Sequence, residues 1–222
     1  MFKRILIWGL LAMALSSCTS KGNFTRSERE LIKDCDSIFR VLTIDNPADA
    51  DVLRSKSVNL SDKALLSKDF ARLSELMIAT VTHPSQDGVG IAGPQVGLNR
   101  RVIAVQRFDK EIELEDGSIE NPFEIYANIR IAEASDSLVR GGEGCLSVPD
   151  MNGDVLRSEE IVIEYTDYSG TADANGALPV VREKISGFTA VIFQHEIDHL
   201  EGVLYIDKVV PEEEKDAEES SN

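Results

Sequence analysis

His195 and His199 stand four residues apart, with Glu196 beside the first of them. On an α-helix, residues four apart share a face, so the two imidazoles can converge on one metal ion. Glu196 projects at a different angle and cannot easily join them. It is placed instead to act as general base on a water activated at that ion. The same spacing would also suit two surface histidines on an amphipathic helix. The chain has only three histidines, and two lie in this stretch, which argues against that use.

Two ligands leave a site unfinished. A third His six residues beyond the second would complete an extended zinc-protease pattern. Gly202 fits that pattern's glycine, but Tyr205 occupies the ligand position. A downstream Glu would have to come from residues 212–219, a charged tail poorly suited to holding a ligand rigidly. Upstream, Glu143, Gly144, Cys145, Leu146 and Ser147 offer a better partner. The Cys145 thiolate with two imidazoles leaves a fourth position open to water, the layout of a catalytic site. Ligand type alone suits zinc, ferrous iron, cobalt or nickel.

These groups need elements to position them. Phe188, Val191, Ile192 and His195 recur at three- and four-residue steps after Gly187, which predicts a helix carrying both histidines. A second helical stripe, Phe70, Leu73, Leu76, Met77 and Val81, ends at His83 and Pro84, so His83 reads as exposed and not as a ligand. A glycine-rich loop over 88–97 follows. No Lys follows its glycines, so it is not a phosphate cradle. Its glycines let the backbone approach a ligand closely, while Gln95 turns an amide into the site. Residues 101–105, 123–132 and 161–167 read as strands. Residues 109–120 form an acidic hairpin connection, Gly141 and Gly142 open a turn into the Cys145 strand, and 168–178 is a long turn.

Three blocks in order, GVGIAGPQVG at 88–97, EGCLS at 143–147 and QHEIDHLEG at 194–202, resemble the three signature motifs of peptide deformylases. The resemblance covers residues 42–210 and includes a family-like opening at Asp51, Val52, Leu53 and Arg54. It departs at Gly93, where the family usually has Ala, a small-for-small exchange. The resemblance implies an α+β catalytic domain, a largely antiparallel sheet around a central helix that carries the two histidines. It implies hydrolysis of the N-formyl group of formyl-methionyl peptides, with ferrous iron as the natural ion and zinc often bound instead. It also implies Gln95 and the Leu146 backbone N–H as donors to the developing oxyanion. The methionine pocket would comprise Val89, Gly90, Leu146, Val191 and Ile192. Glu143 and Arg157 can pair to brace the Cys145 strand, and the role of Asp198 stays open.

Two other functions remain compatible with the residues. A metalloprotease of the H-E-x-x-H kind would cut internal peptide bonds, but the absent downstream ligand and the EGCLS block count against it. A metal-holding lipoprotein that binds peptides without turnover would not need Glu196.

The N-terminus reads as an export signal. Lys3 and Arg4 precede an apolar run over 5–15, too short to span a bilayer comfortably. The run ends in Leu15, Ser16, Ser17 and Cys18, similar to the lipobox of bacterial lipoproteins. Residues 1–17 would be removed and Cys18 would carry lipid, anchoring an exported protein to a membrane. Loss of Lys3 and Arg4 takes the formal charge from −16 to −18. Such acidity argues against nucleic acid as a partner and against electrostatic binding to anionic lipid, and is compatible with a domain held to a membrane by acyl chains. Residues 18–41 read as a tether or extra helix, with Leu31, Ile32, Cys35, Ile38 and Phe39 on one face. The acidic tail, 211–222, reads as disordered. Nothing in the sequence indicates an oligomeric state.

Overall fold

The structure, a computed structural model, describes residues 22–211. The signal segment, Cys18 and the tail beyond Pro211 lie outside the described residues. Four helices come first: α1 (Arg26–Asp34), α2 (Pro47–Leu53), α3 (Asp62–Leu65) and α4 (Lys68–Val81). Their starts follow from local chemistry. Thr25 and Glu28 form a reciprocal capping box on α1, Asn46 and Pro47 open α2, and Ser67 caps α4.

Strands β1 (Gly90–Ala92), β2 (Val102–Gln106), β3 (Ile112–Glu113), β4 (Ile119–Glu120), β5 (Phe123–Ala134), β6 (Leu138–Cys145), β7 (Val148–Ser158), β8 (Glu160–Thr166) and β9 (Val180–Ser186) follow, then helix α5 (Gly187–Leu200). The main sheet runs β1-β2-β5-β8-β9, with every pair antiparallel. The hairpins β3–β4 and β6–β7 stand apart from it. Helices and antiparallel sheets thus make a mixed fold. Residues 102–105 are all apolar because both faces of β2 are covered. Val102 and Ala104 face α4 through the cluster that holds Phe70, Leu73 and Met77. Ile103 and Val105 face α5 through Ile192, Phe193 and Ile197.

Two local readings are corrected. Helix α1 ends at Asp34, with Cys35 already extended at its C-cap, so Ile38 and Phe39 do not continue its face. Phe39 is buried from an extended segment instead, its N–H donating to Thr80 Oγ1 at 2.9 Å. Gly141 and Gly142 open no turn. They lie inside β6, opposite Val155 and Asp154.

Candidate metal centre

Helix α5 packs against β1, β2, β5, β8 and β9 and carries His195, Glu196 and His199 on adjacent turns. Cys145 ends β6, and residues 146–147 make the tight turn into β7. The hairpin slips register between Gly144 and Cys145, pairing Cys145 with Val148. The Ser147 N–H then points to Cys145 Sγ at 3.4 Å. Cys145 Sγ lies 3.3 Å from His199 Nε2, and one ligand atom from each of Cys145, His195 and His199 falls within 4.8 Å of the others.

The charge around this trio favours a cation. Glu143, also on β6, accepts Arg157 Nε at 2.7 Å, Arg157 Nη2 at 2.9 Å and His195 Nδ1 at 2.8 Å. Burial alone would raise the Glu143 carboxyl, but these donors outweigh it and hold the pKa down at about 2. Its bond to His195 Nδ1 leaves Nε2 as the ring's free donor atom toward the ligand trio. Burial pushes His195 down, but Cys145, Glu143 and Glu196 together raise it to about 10, so the site attracts positive charge. His199 is fully buried, and burial pushes it well below its ordinary value, keeping an imidazole free to ligate. A soft thiolate and two imidazoles, drawn together and wrapped in negative charge, fit a borderline divalent ion.

Arg157 is itself 3% exposed and donates to Asp198 Oδ2 at 2.5 Å, and Asp198 also takes Lys208. Asp198 therefore closes a chain Lys208–Asp198–Arg157–Glu143–His195 that sets the first His ring.

Glu196 is 4% exposed, and its Oε2 has no hydrogen-bond partner among the described residues. Burial raises its pKa to about 7, within reach of both protonation states near neutrality. Gly90 makes room for it: a Cβ there would sit 2.5 Å from Glu196 Oε1. Gln95 lies in a short 3₁₀ turn, Gly93–Val96, and is buried. Its Oε1 accepts the Ala92 N–H at 2.8 Å, which requires the amide's NH₂ end to face the site, where Nε2 is 3.6 Å from Cys145 Sγ.

A cavity of about 400 Å³ opens over these groups. All five pocket residues expected from the sequence, Val89, Gly90, Leu146, Val191 and Ile192, line it, with Gln95, Cys145, His195 and Glu196. Sequence reasoning missed Phe188, which lines the cavity while 58% exposed. An aromatic one turn ahead of Val191 on the same helical face was the available signal. It also missed Asp87, whose left-handed φ of 49° turns the chain into the Gly88 loop at the cavity's edge.

Gly93 is less exchangeable than a small-for-small substitution implies. A Cβ there would lie 2.7 Å from the carbonyl oxygens of both Leu98 and Arg100.

The model of the polypeptide deformylase family matches residues 38–215. The chain belongs to the peptide deformylase family. A peptide deformylase of Leptospira biflexa is 35% identical over 173 residues, 78% of this chain and 88% of its own. Peptide deformylase 2 of Gloeobacter violaceus is 38% identical over 158 residues, 71% and 74% of the two chains. Among solved structures, the class I type b peptide deformylase of Acinetobacter baumannii with Met-Ala-Ser bound superimposes with a TM-score of 0.64 at 31% identity. It is matched over 79% of this chain and 100% of its own. The Thermotoga maritima peptide deformylase gives 0.63 at 30% identity, with the same coverage. These matches make this family member a hydrolase of N-formyl peptides.

Proposed function

We propose that this family member is a metal-dependent deformylase of formyl-methionyl peptides that works outside the cytoplasm as a lipoprotein. The observation that carries the chemistry is the convergence of Cys145, His195 and His199 beside the buried Glu196, at the floor of an apolar cavity. The α5 helix is the central element of this reading, since one helical turn supplies both imidazoles and the carboxylate. The Met-Ala-Ser peptide bound by the Acinetobacter baumannii neighbour has the free N-terminal methionine that deformylation would leave.

Cys145, His195 and His199 would hold one divalent ion, ferrous iron by family resemblance or zinc, nickel or cobalt by ligand type, which polarises the formyl carbonyl and acidifies water when bound. The chain's own residues do the rest. Glu196 takes a proton from the attacking water on a carboxylate oxygen. The new C–O bond forms as the carbonyl becomes tetrahedral, and its oxygen gains negative charge. Gln95 Nε2 and the Leu146 backbone N–H would donate to that oxygen. Glu196 then returns its proton to the nitrogen, the C–N bond breaks, and formate leaves beside a free amine. Val89, Leu146, Val191 and Ile192 surround the methionine side chain with apolar surface, and Gly90 keeps the backbone close.

Support for export comes from the sequence alone: Lys3, Arg4, the apolar run and the Leu-Ser-Ser-Cys18 ending. The physiological substrates would then be formylated peptides released from cells. The test is formate release from formyl-Met-Ala-Ser beside its acetylated analogue. Glu196→Ala should retain metal and lose roughly 10²–10⁴ in turnover. Cleavage of internal peptide bonds, or turnover of the acetylated peptide at equal rate, would refute the assignment.

A further inference from the structure

The first described residues are held firmly, and they lie toward the opposite end of α4 from the catalytic pocket. The Gly22 carbonyl accepts the Ser61 N–H at 2.8 Å, and the Asn23 carbonyl accepts Arg100 Nη2 at 2.8 Å. Ser61 Oγ bonds Asn23 Oδ1 at 2.6 Å, and Phe24 is buried next in line. A Cβ at Gly22 would come within 2.9 Å of Ser61 N, so the backbones touch there. Glu28 takes Arg100 at 2.6 and 2.8 Å in a nearly buried pair that locks α1 behind these residues.

Three residues separate Cys18 from Gly22. Four Cα steps extend to about 14 Å at most, so a lipid on Cys18 could not sit far from Ser61. Ser61 caps α3, and one turn later Leu66 stands 60% exposed between the exposed lysines Lys63 and Lys68. Two carboxylates lie beside them, each with a partner. Asp62 accepts the Leu178 N–H at 3.1 Å, and Asp69 pairs with Arg29 at 3.3 Å. The formal charge of −16 opposes anionic lipid, so the acyl anchor must supply the binding, and the apolar side chain between two ammonium groups is the local feature suited to phosphate headgroups.

At its other end α4 meets the site. Gly88 N–H donates to the Val81 carbonyl at 3.0 Å, and a Cβ on Gly88 would meet Val81 at 2.9 Å and Leu146 at 3.2 Å. Fourteen residues of helix separate the two ends, a span of about 20 Å.

We infer that the mature protein, held by its acyl anchor, rests on the bilayer through its α3–Leu66 end, with the catalytic pocket about one helix length, ~20 Å, from the lipid. This rests on the lipoprotein reading of Cys18. Peptides in solution then reach the pocket, whereas formylated segments still embedded in the membrane do not.

Trp8 is the chain's one tryptophan and precedes Cys18, so the mature protein has none. Leu66→Trp places a donor at the proposed contact. Met151→Trp, at a 52% exposed position on the hairpin that carries Cys145, places one near the pocket. Mature protein from cells is bound to phosphatidylethanolamine–phosphatidylglycerol vesicles with dansyl headgroups and recovered by flotation. Energy transfer should be several-fold stronger from position 66 than from 151. Replacing both lysines (Lys63→Glu with Lys68→Glu) should erase most of that difference without releasing protein from the vesicles. Protein that floats but transfers equally from both positions, or more from 151, overturns the orientation and leaves the anchor standing. A difference that survives both lysine changes overturns the role of the patch. Protein that does not float overturns the anchor, and the orientation with it.

Discussion

Gly90→Ala is the sharpest probe of the proposed catalytic carboxylate. The added Cβ would stand 2.5 Å from Glu196 Oε1 and 2.9 Å from its carboxyl carbon, where ordinary contact begins at 3.4 Å. Glu196 must therefore move by about 0.9 Å, and a displacement near 1 Å in a reacting group costs on the order of 10²-fold in rate. The three heavy atoms nearest that Cβ all belong to Glu196, so Glu196 is the first group displaced. The expected result is kcat/KM for formate release lower by ~10², carried mainly in kcat, with metal content and melting temperature close to those of the parent. Formate is read by a coupled dehydrogenase and metal by elemental analysis. An alanine variant with activity within about threefold of the parent would mean that Glu196 is not held where the reaction needs it. A loss confined to KM would mean that Gly90 serves substrate approach alone.

Glu143→Gln keeps the side chain's shape but removes the charge that fixes His195 Nδ1, so metal affinity should fall by roughly 10–100-fold in chelator competition. Unchanged affinity would reduce Glu143 to a brace for Arg157. Gly93→Ala should destabilise the protein by about 1–3 kcal/mol in urea unfolding, because two carbonyl oxygens already occupy the Cβ position; equal midpoints would refute that. Acid stability should depend on Glu28. Burial raises its carboxyl, but hydrogen bonds from Arg100 and Thr25 outweigh burial and hold its folded pKa below the ordinary 4.5. A group depressed in the folded state stabilises above its unfolded pKa and loses that contribution as pH falls through the folded value. Glu28→Gln should therefore lower stability at neutral pH and flatten its decline below about pH 4.5. An acid limb of unchanged steepness would exclude the pair.

Much of the site was legible because its signals are local. The spacing of His195 and His199 places both rings on one face wherever that helix lies, and the run through Phe188 and Val191 marks the helix itself. Cys145 could be chosen as third ligand by elimination. The Glu143–Arg157 pair was also anticipated, although the hairpin register sets Glu143 opposite Gly153 and Arg157 opposite Val139. The helical face drawn through Ile38 and Phe39 failed for a tertiary reason. The 39–44 segment gives up helical bonds to clamp the site loops. The Leu42 N–H donates to the Gln95 carbonyl at 2.8 Å and the Ile44 N–H to the Ser147 carbonyl at 3.0 Å.

By itself, the sequence picked out the candidate groups of the site: one thiol, two imidazoles, one carboxylate and one side-chain amide, each marked by its type and near spacing. Only the tertiary structure decided how those groups are held. Gly90 is needed because Glu196, more than a hundred positions later, fills the space of its missing side chain. Asp198 acquires a role because Arg157 and Lys208 reach it from other elements. Gly22 and Gly88 lie toward opposite ends of α4 because the Ser61 N–H and the Val81 carbonyl hold them there. Spacing along the chain fixes geometry within an element, whereas contacts between elements depend on packing that no short stretch of sequence records.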